Sequence, residues 1–237
     1  NKIFNPGTVN ERPALLDIDL EVPSGDFITI IGSNGAGKST LLNVIAGVYP
    51  PDSGNIRLDG QDITAWPEHR RAQYAGRVFQ DPLLGTAGSM TVEENLALAL
   101  RRGQRKRLVR GVTTADRALF RERLAELGLG LENRLQDKVR LLSGGQRQAL
   151  TLLMATLKKP QLLLLDEHTA ALDPKTAEVI LDLTLKLVAE HRLTTLMVTH
   201  NLAQALKAGN RTLMMDEGRI VLDLNGEQKR RTTVSDL

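Results

Sequence analysis

Apolar and polar positions change period repeatedly along this chain. Phe27–Ile31 is a continuous apolar run of strand length that ends in a glycine-rich loop. From Lys38 to Ala46 the apolar positions recur at helical spacing until Gly47 stops them. Tyr49 to Gly54 is a turn cluster, Asn55–Leu58 before Asp59-Gly60 reads as a hairpin arm, and Ala75–Phe79 reads as a short strand. Thr91-Val92-Glu93-Glu94 predicts a capping box opening a helix over 92–102. A second amphipathic run, Thr114–Leu127, is closed by Gly128 and Gly130. Then come a helix over 146–157, a strand at Gln161–Leu165 and a helix Pro174–His191 with proline in its first turn. Strands at Thr194–Thr199 and Arg211–Met215 follow, with a last hairpin arm at Arg219–Leu222. Asn1–Phe4 reads as the tail of a strand already under way, so a few further residues are expected in front of it.

Strands separated by helices predict an α/β chain with a mostly parallel sheet covered on both faces. The stretch 81–142 differs in texture and predicts a helical lobe inserted into one domain, between core halves 1–80 and 143–237.

Composition then narrows the function. At 237 residues, a folded chain buries roughly 70–75% of its unfolded surface. The absence of cysteine excludes a disulfide framework, a thiolate metal site and a Cys nucleophile. A net charge of +3 is too small to require nucleic acid, and 3% aromatics argue against a base-stacking platform. Apolar stretches of strand length fall short of the ~20 residues a spanning helix needs, and no signal peptide is expected.

Two motifs carry chemistry. Gly32-Ser33-Asn34-Gly35-Ala36-Gly37-Lys38-Ser39-Thr40 follows an apolar strand and opens a helix, the pattern of a phosphate-binding loop. Its glycines let successive N–H groups face one phosphate chain, and the helix N-terminus adds partial positive charge. Lys38 would reach the β- and γ-phosphates and Ser39 would ligate Mg²⁺. The second motif, Leu162–Leu165 followed by Asp166-Glu167, is a buried strand delivering two carboxylates to the sheet edge. Asp166 suits Mg²⁺ coordination through water, and Glu167 sits where an attacking water needs polarising. Alone, such a pair is more often a solvated turn; beside a phosphate loop it reads as catalytic. Leu142-Ser143-Gly144-Gly145-Gln146 opens a helix and forms another anion-type site, which suggests service to a nucleotide bound elsewhere, although a simple helix cap would look the same.

Together with Gln80, Ala171-Leu172-Asp173 and His200, these motifs resemble, in order and spacing, the nucleotide-binding subunit of ABC transporters over essentially the whole chain. The resemblance implies a P-loop ATPase core with an antiparallel β subdomain and a helical subdomain. It implies a head-to-tail dimer holding two ATP molecules, each between one chain's P-loop and the other's Ser143–Gln146. Glu167 is then the catalytic base, His200 the γ-phosphate contact, Gln80 an Mg²⁺ contact that senses the membrane partner, and Asp173 part of the loop joining the two sites. An aromatic ahead of the P-loop commonly stacks on adenine in this family; Phe4 is the candidate, against core packing. Proline usually follows the catalytic glutamate, so His168 departs from the pattern and reads as a subfamily marker.

The resemblance also implies integral membrane permease subunits, a place on the cytoplasmic face of the membrane, and an extracytoplasmic substrate-binding protein. The segments Phe4–Glu11, Asp166–Pro174 and Leu193–Asn201 resemble a bacterial importer subgroup with amino acids among its cargo. Rival readings are a soluble ABC-type ATPase acting on DNA or ribosomes and a nucleotide-binding regulator without turnover. The interval 81–142 is too short for the long coiled coils of the former, and the retained Glu167 and His200 argue against the latter. Six of the ten residues Arg101–Arg110 are basic; a solvated face is the plain reading, attraction to anionic lipid the rival.

Overall fold

The computed structural model describes residues 1–104 and 111–237. In chain order, β1 (Lys2–Phe4) and β2 (Arg12–Leu15) precede β3 (Phe27–Gly32) and α1 (Lys38–Ala46). The short elements β4 (Arg57–Leu58), β5 (Gln61–Asp62) and α2 (Glu68–Arg71) lead to β6 (Ala75–Val78). Next come α3 (Val92–Leu100), α4 (Thr114–Ala125), α5 (Gly144–Thr156), β7 (Leu162–Asp166) and α6 (Pro174–His191). The chain closes with β8 (Thr195–Val198), α7 (Leu202–Lys207), β9 (Arg211–Asp216), β10 (Arg219–Asn225) and α8 (Gly226–Arg231).

Six strands form the central sheet in the order β10-β9-β3-β8-β7-β6, parallel except for the β9–β10 hairpin. The mostly parallel α/β fold expected from the alternating pattern is therefore the fold observed. Successive side chains of its buried strands enter opposite clusters: Leu163 and Leu165 pack toward α5 and α6, and Leu162 and Leu164 toward α1. The first cluster continues through Leu150 and Leu153 to Val92, Leu96, Phe120 and Leu124, so the sheet and the helices of 81–142 share one apolar core. The antiparallel strands beside the core are two separate pairs, β1–β2 and β4–β5. A cleft of about 890 Å³, lined in part by Ile18, Leu20, Ile56 and Leu58, lies beside them.

Helix ends follow local chemistry. α1 stops at Gly47, whose φ of 85° is left-handed. Its last carbonyls are held by Arg71 of α2, which is 2% exposed. The guanidinium donates to Val44 O at 2.8 Å and Ile45 O at 2.9 Å, and also to Trp66 O and Thr64 O. α5 begins two residues earlier than its apolar period predicts, because the Ser143 hydroxyl accepts from Gln146 N and draws both glycines into the first turn. α3 ends at Leu100, short of the expected 102. In the basic run, Arg101 pairs with Asp116 at 2.9 Å and Arg102 reaches Ala155 O at 3.4 Å; Arg105–Arg110 lie outside the described residues.

Lys229 on α8 is 5% exposed and donates to Ala208 O, and burial lowers its pKa from 10.5 to about 8. The unfolded chain therefore binds the extra proton between these values. Stability from this group is fully present above the unfolded pKa and is lost as pH falls through about 8. Denaturant titrations should show the parent gaining stability over Lys229→Met between about pH 8 and 10.5; parallel pH profiles would refute the assignment.

Candidate functional site

Three adjacent parallel strands bring their C-terminal ends to one edge. Val198 of β8 pairs with Ile30 of β3 on one side and Asp166 of β7 on the other. The glycine-rich loop, the Asp-Glu pair and His200 thus start within two residues of a single rung. The resulting pocket of about 200 Å³ is lined by the loop residues Asn34, Gly35, Gly37, Lys38, Ser39 and Thr40, together with Phe4, Arg12, Ala14 and Glu167.

The loop's shape depends on absent side chains. Gly32, at φ 145°, has Met215 O only 2.1 Å from where a Cβ would stand. Gly37, at φ 99°, has Ala14 O at 2.4 Å from the same point. Both close approaches exclude any L side chain. Gly37 also leaves α1 without a side-chain cap, whereas α3, α4, α5 and α6 are capped by Thr91, Thr113, Ser143 and Asp173. Uncapped first-turn N–H groups and the helix dipole make the start of α1 suited to an anion.

Lys38 is 6% exposed, and its ammonium donates to Gly32 O and Ser33 O, each at 2.9 Å. Those bonds leave one of its three donors uncommitted. Ser39 Oγ donates to Asp166 Oδ1 at 3.1 Å, and Arg77 Nη2 stands 3.6 Å from Asp166 Oδ2. Burial nevertheless raises the Asp166 pKa above the ordinary carboxylate value, because desolvation outweighs the serine bond and the arginine charge. A half-buried carboxylate beside a hydroxyl fits a hard divalent cation. Among the described residues no three His, Cys, Asp or Glu side chains group to hold a metal. A cation held by Ser39, Asp166, phosphate oxygens and water matches the way Mg²⁺ is usually bound.

Glu167 has φ 43°, a left-handed conformation that costs a non-glycine residue about 1–2 kcal/mol. Its Oε2 lies 3.4 Å from His200 Nδ1, so the two candidate catalytic side chains are in contact. His168 faces the other way, 2% exposed, and burial lowers its pKa to about 4, which leaves the ring neutral.

Phe4 lies in the pocket wall, its ring edge-on to Tyr49 at 5.2 Å. Gln80 is exposed, two residues beyond β6, and is not part of the lining. Ser143, Gly144, Gly145 and Gln146 cap α5 away from the lining as well. Arg12 was not legible as a site residue, because nothing local marks a single arginine. The β1–β2 register sets it opposite Phe4, and its Nη2 lies 2.9 Å from the Cβ position of Gly35. Arg77 and Asn43, joined at 2.7 Å, were hidden in the same way.

The family model described as "ABC transporter" matches residues 15–170. The chain belongs to the ABC transporter family. It is 49% identical, over its whole length and 92% of the relative, to a tyrosine transport ATP-binding protein of Clostridioides difficile (strain R20291). It is 38% identical, over 91% of the chain and 60% of the relative, to a methionine import ATP-binding protein of Enterococcus faecalis (strain ATCC 700802 / V583). Among solved structures, an ATP-binding cassette in a dimeric post-hydrolysis state with ADP and Pi superposes with a TM-score of 0.80. That pair shares 28% identity, over 94% of this chain and 95% of the other. The ADP conformation of a second cassette gives 0.79 at 29% identity, over 94% and 89%. This ABC ATPase binds ATP and hydrolyses it.

In the ABC ATPase, Gly145 has a packing duty that its motif does not reveal. A Cβ there would lie 2.4 Å from Thr176 Cγ2 of α6, whose N–H is capped by Asp173 at 3.1 Å. Gly145→Ala should therefore destabilise by about 1–3 kcal/mol, lowering the calorimetric midpoint by roughly 2–10 °C, and Thr176→Ser should restore most of it. An unchanged midpoint in Gly145→Ala would remove the packing argument.

Proposed function

We propose that this ABC ATPase is the energy-coupling subunit of an importer for an amino acid of the tyrosine class. The observation that carries the cargo assignment is the 49% identity, along the full chain, to a protein named for tyrosine transport. The catalytic assignment rests on the shared strand edge. Lys38 and the uncapped α1 amides hold the β- and γ-phosphates, and Arg12 adds a second cation at the pocket mouth beside Phe4, the adenine platform. Ser39 and Asp166 would hold Mg²⁺, with Gln80 brought to them, and the ion would supply charge neutralisation at the phosphoryl oxygens. Glu167 polarises the attacking water, and His200, in contact with it, holds the γ-phosphate in line.

The pocket lacks Ser143–Gln146, which supports their serving a second copy of the chain in a head-to-tail dimer. One superposed cassette is itself described as dimeric. Segment 81–142 acts as the inserted lobe that meets the permease. Leu83 and Leu84, just after Gln80, are 53% and 71% exposed, and Leu141 is 63% exposed one residue from Arg140, whose N–H donates to Gly88 O. An apolar rim beside a nucleotide-sensing glutamine suits a membrane subunit. Among the described residues no helix is long and apolar enough to cross a membrane, so anchoring at the cytoplasmic face falls to those partners, with an extracytoplasmic binding protein delivering the solute.

Glu167→Gln keeps size and hydrogen bonding but removes the base. Turnover should fall about 10²–10⁴-fold while ATP still binds, and size-exclusion chromatography should show an ATP-dependent dimer. Parental phosphate release would overturn the assignment of the base. For cargo, proteoliposomes containing the ATPase with its co-purifying permease, ATP inside and the partner binding protein outside, should accumulate labelled tyrosine. Accumulation of a non-amino-acid solute with no tyrosine uptake would reject the proposed class.

A further inference from the structure

The segment that follows Glu167 is held from two sides by side chains that are not themselves part of the pocket lining. The His168 ring lies 3.0 Å, through Nε2, from Thr184 Oγ1 in the middle of α6, and both residues are buried. Thr184 spends its hydroxyl proton on Ile180 O at 2.7 Å, so its oxygen accepts and His168 donates from Nε2. On the other side, Gln204 Oε1 of α7 accepts from Thr169 Oγ1 at 3.3 Å and from Thr199 Oγ1 at 3.4 Å. That amide joins the loop carrying Glu167 to the loop carrying His200. Between these anchors Glu167 keeps its left-handed φ, with its N–H on Val198 O and its carbonyl accepting from Ala170 N. A residue in such a conformation persists only where its surroundings over-determine it.

We infer that His168 is a positioning residue for hydrolysis: its bond to Thr184 fixes residue 168 to α6 and thereby sets where the Glu167 carboxylate stands relative to His200. The inference rests on Glu167 being the general base. A carboxylate displaced by about 1 Å from its water can lose up to about 100-fold in rate, whereas the phosphate-binding contacts of Lys38 belong to another strand's loop and stay in place. Removing the anchor should therefore lower kcat and spare nucleotide affinity.

The test compares four single variants of the full chain. His168→Leu keeps apolar bulk without a donor, and Thr184→Val deletes the acceptor from the helix side. His168→Gln restores an N–H near the Nε2 position, and Glu167→Gln is the reference for loss of the base. His168→Leu and Thr184→Val should each lower kcat about 10- to 100-fold with ATP affinity within about 2-fold of the parent. His168→Gln should recover most of the rate, and the His168→Leu/Thr184→Val double variant should be no slower than the worse single one. Thermal midpoints check folding, and Thr184→Val carries the test if His168→Leu does not fold. Parental kcat in folded His168→Leu and Thr184→Val, with Glu167→Gln inactive, rejects His168 as a positioning residue and leaves the base intact. Matched losses of kcat and ATP affinity also reject it, since they indicate a disordered pocket. Parental turnover in Glu167→Gln instead removes the base, and the inference falls with it.

Discussion

The reacting edge depends on one rung of the sheet, the pairing of Val198 with Ile30 and Asp166. A parallel ladder has its period fixed by backbone hydrogen bonds, and a slip of one residue turns every side chain to the opposite face. Here both faces are filled, by α1 on one side and by α5 and α6 on the other, so a one-residue slip would force side chains fitted to one cluster into the other and move Asp166 off the rung it shares with Val198. The hydrophobic core thus sets the distance between the glycine-rich loop and the acid.

Charge is distributed around that edge unevenly. Among the described residues, Lys38, Arg12 and the open end of α1 are positive with no carboxylate bonded to them, while Asp166 shares a hydroxyl and a guanidinium and its pKa lies above the ordinary carboxylate value. Such an arrangement is unsatisfying by itself and favours a guest that brings both anionic oxygens and a cation. That charge pattern supports the proposed metal-bound polyphosphate as the guest.

Much of this was readable in the residues because the governing constraints were local. A tight glycine loop, an apolar run ending in acids, a capping serine and a proline at a helix start each state their geometry within a few positions, and helices Lys38–Ala46 and Pro174–His191 have the bounds their patterns predict. Arg12, Arg77, Arg71 and Gln204 were not readable. Each acts through reach across strands or between helices, and an isolated long polar side chain carries no periodic signal. The brief elements β5, α2 and α7 went unseen for a related reason: they are too short to establish a period, and tertiary contacts hold them.

Arg71 gives α1 a property beyond stability. Because one buried guanidinium grips the carbonyls at its far end and a glycine seals the turn, the helix cannot slide along its axis to meet a longer or shorter guest. On the proposed assignment, the start of α1 is then a fixed stop against which a phosphate chain would be measured, with Glu167 at the other end of the gauge. Nucleotides differing by one phosphate would then meet the same stop but end at different distances from the carboxylate, so the proposed site would tell fuel from spent fuel by length alone.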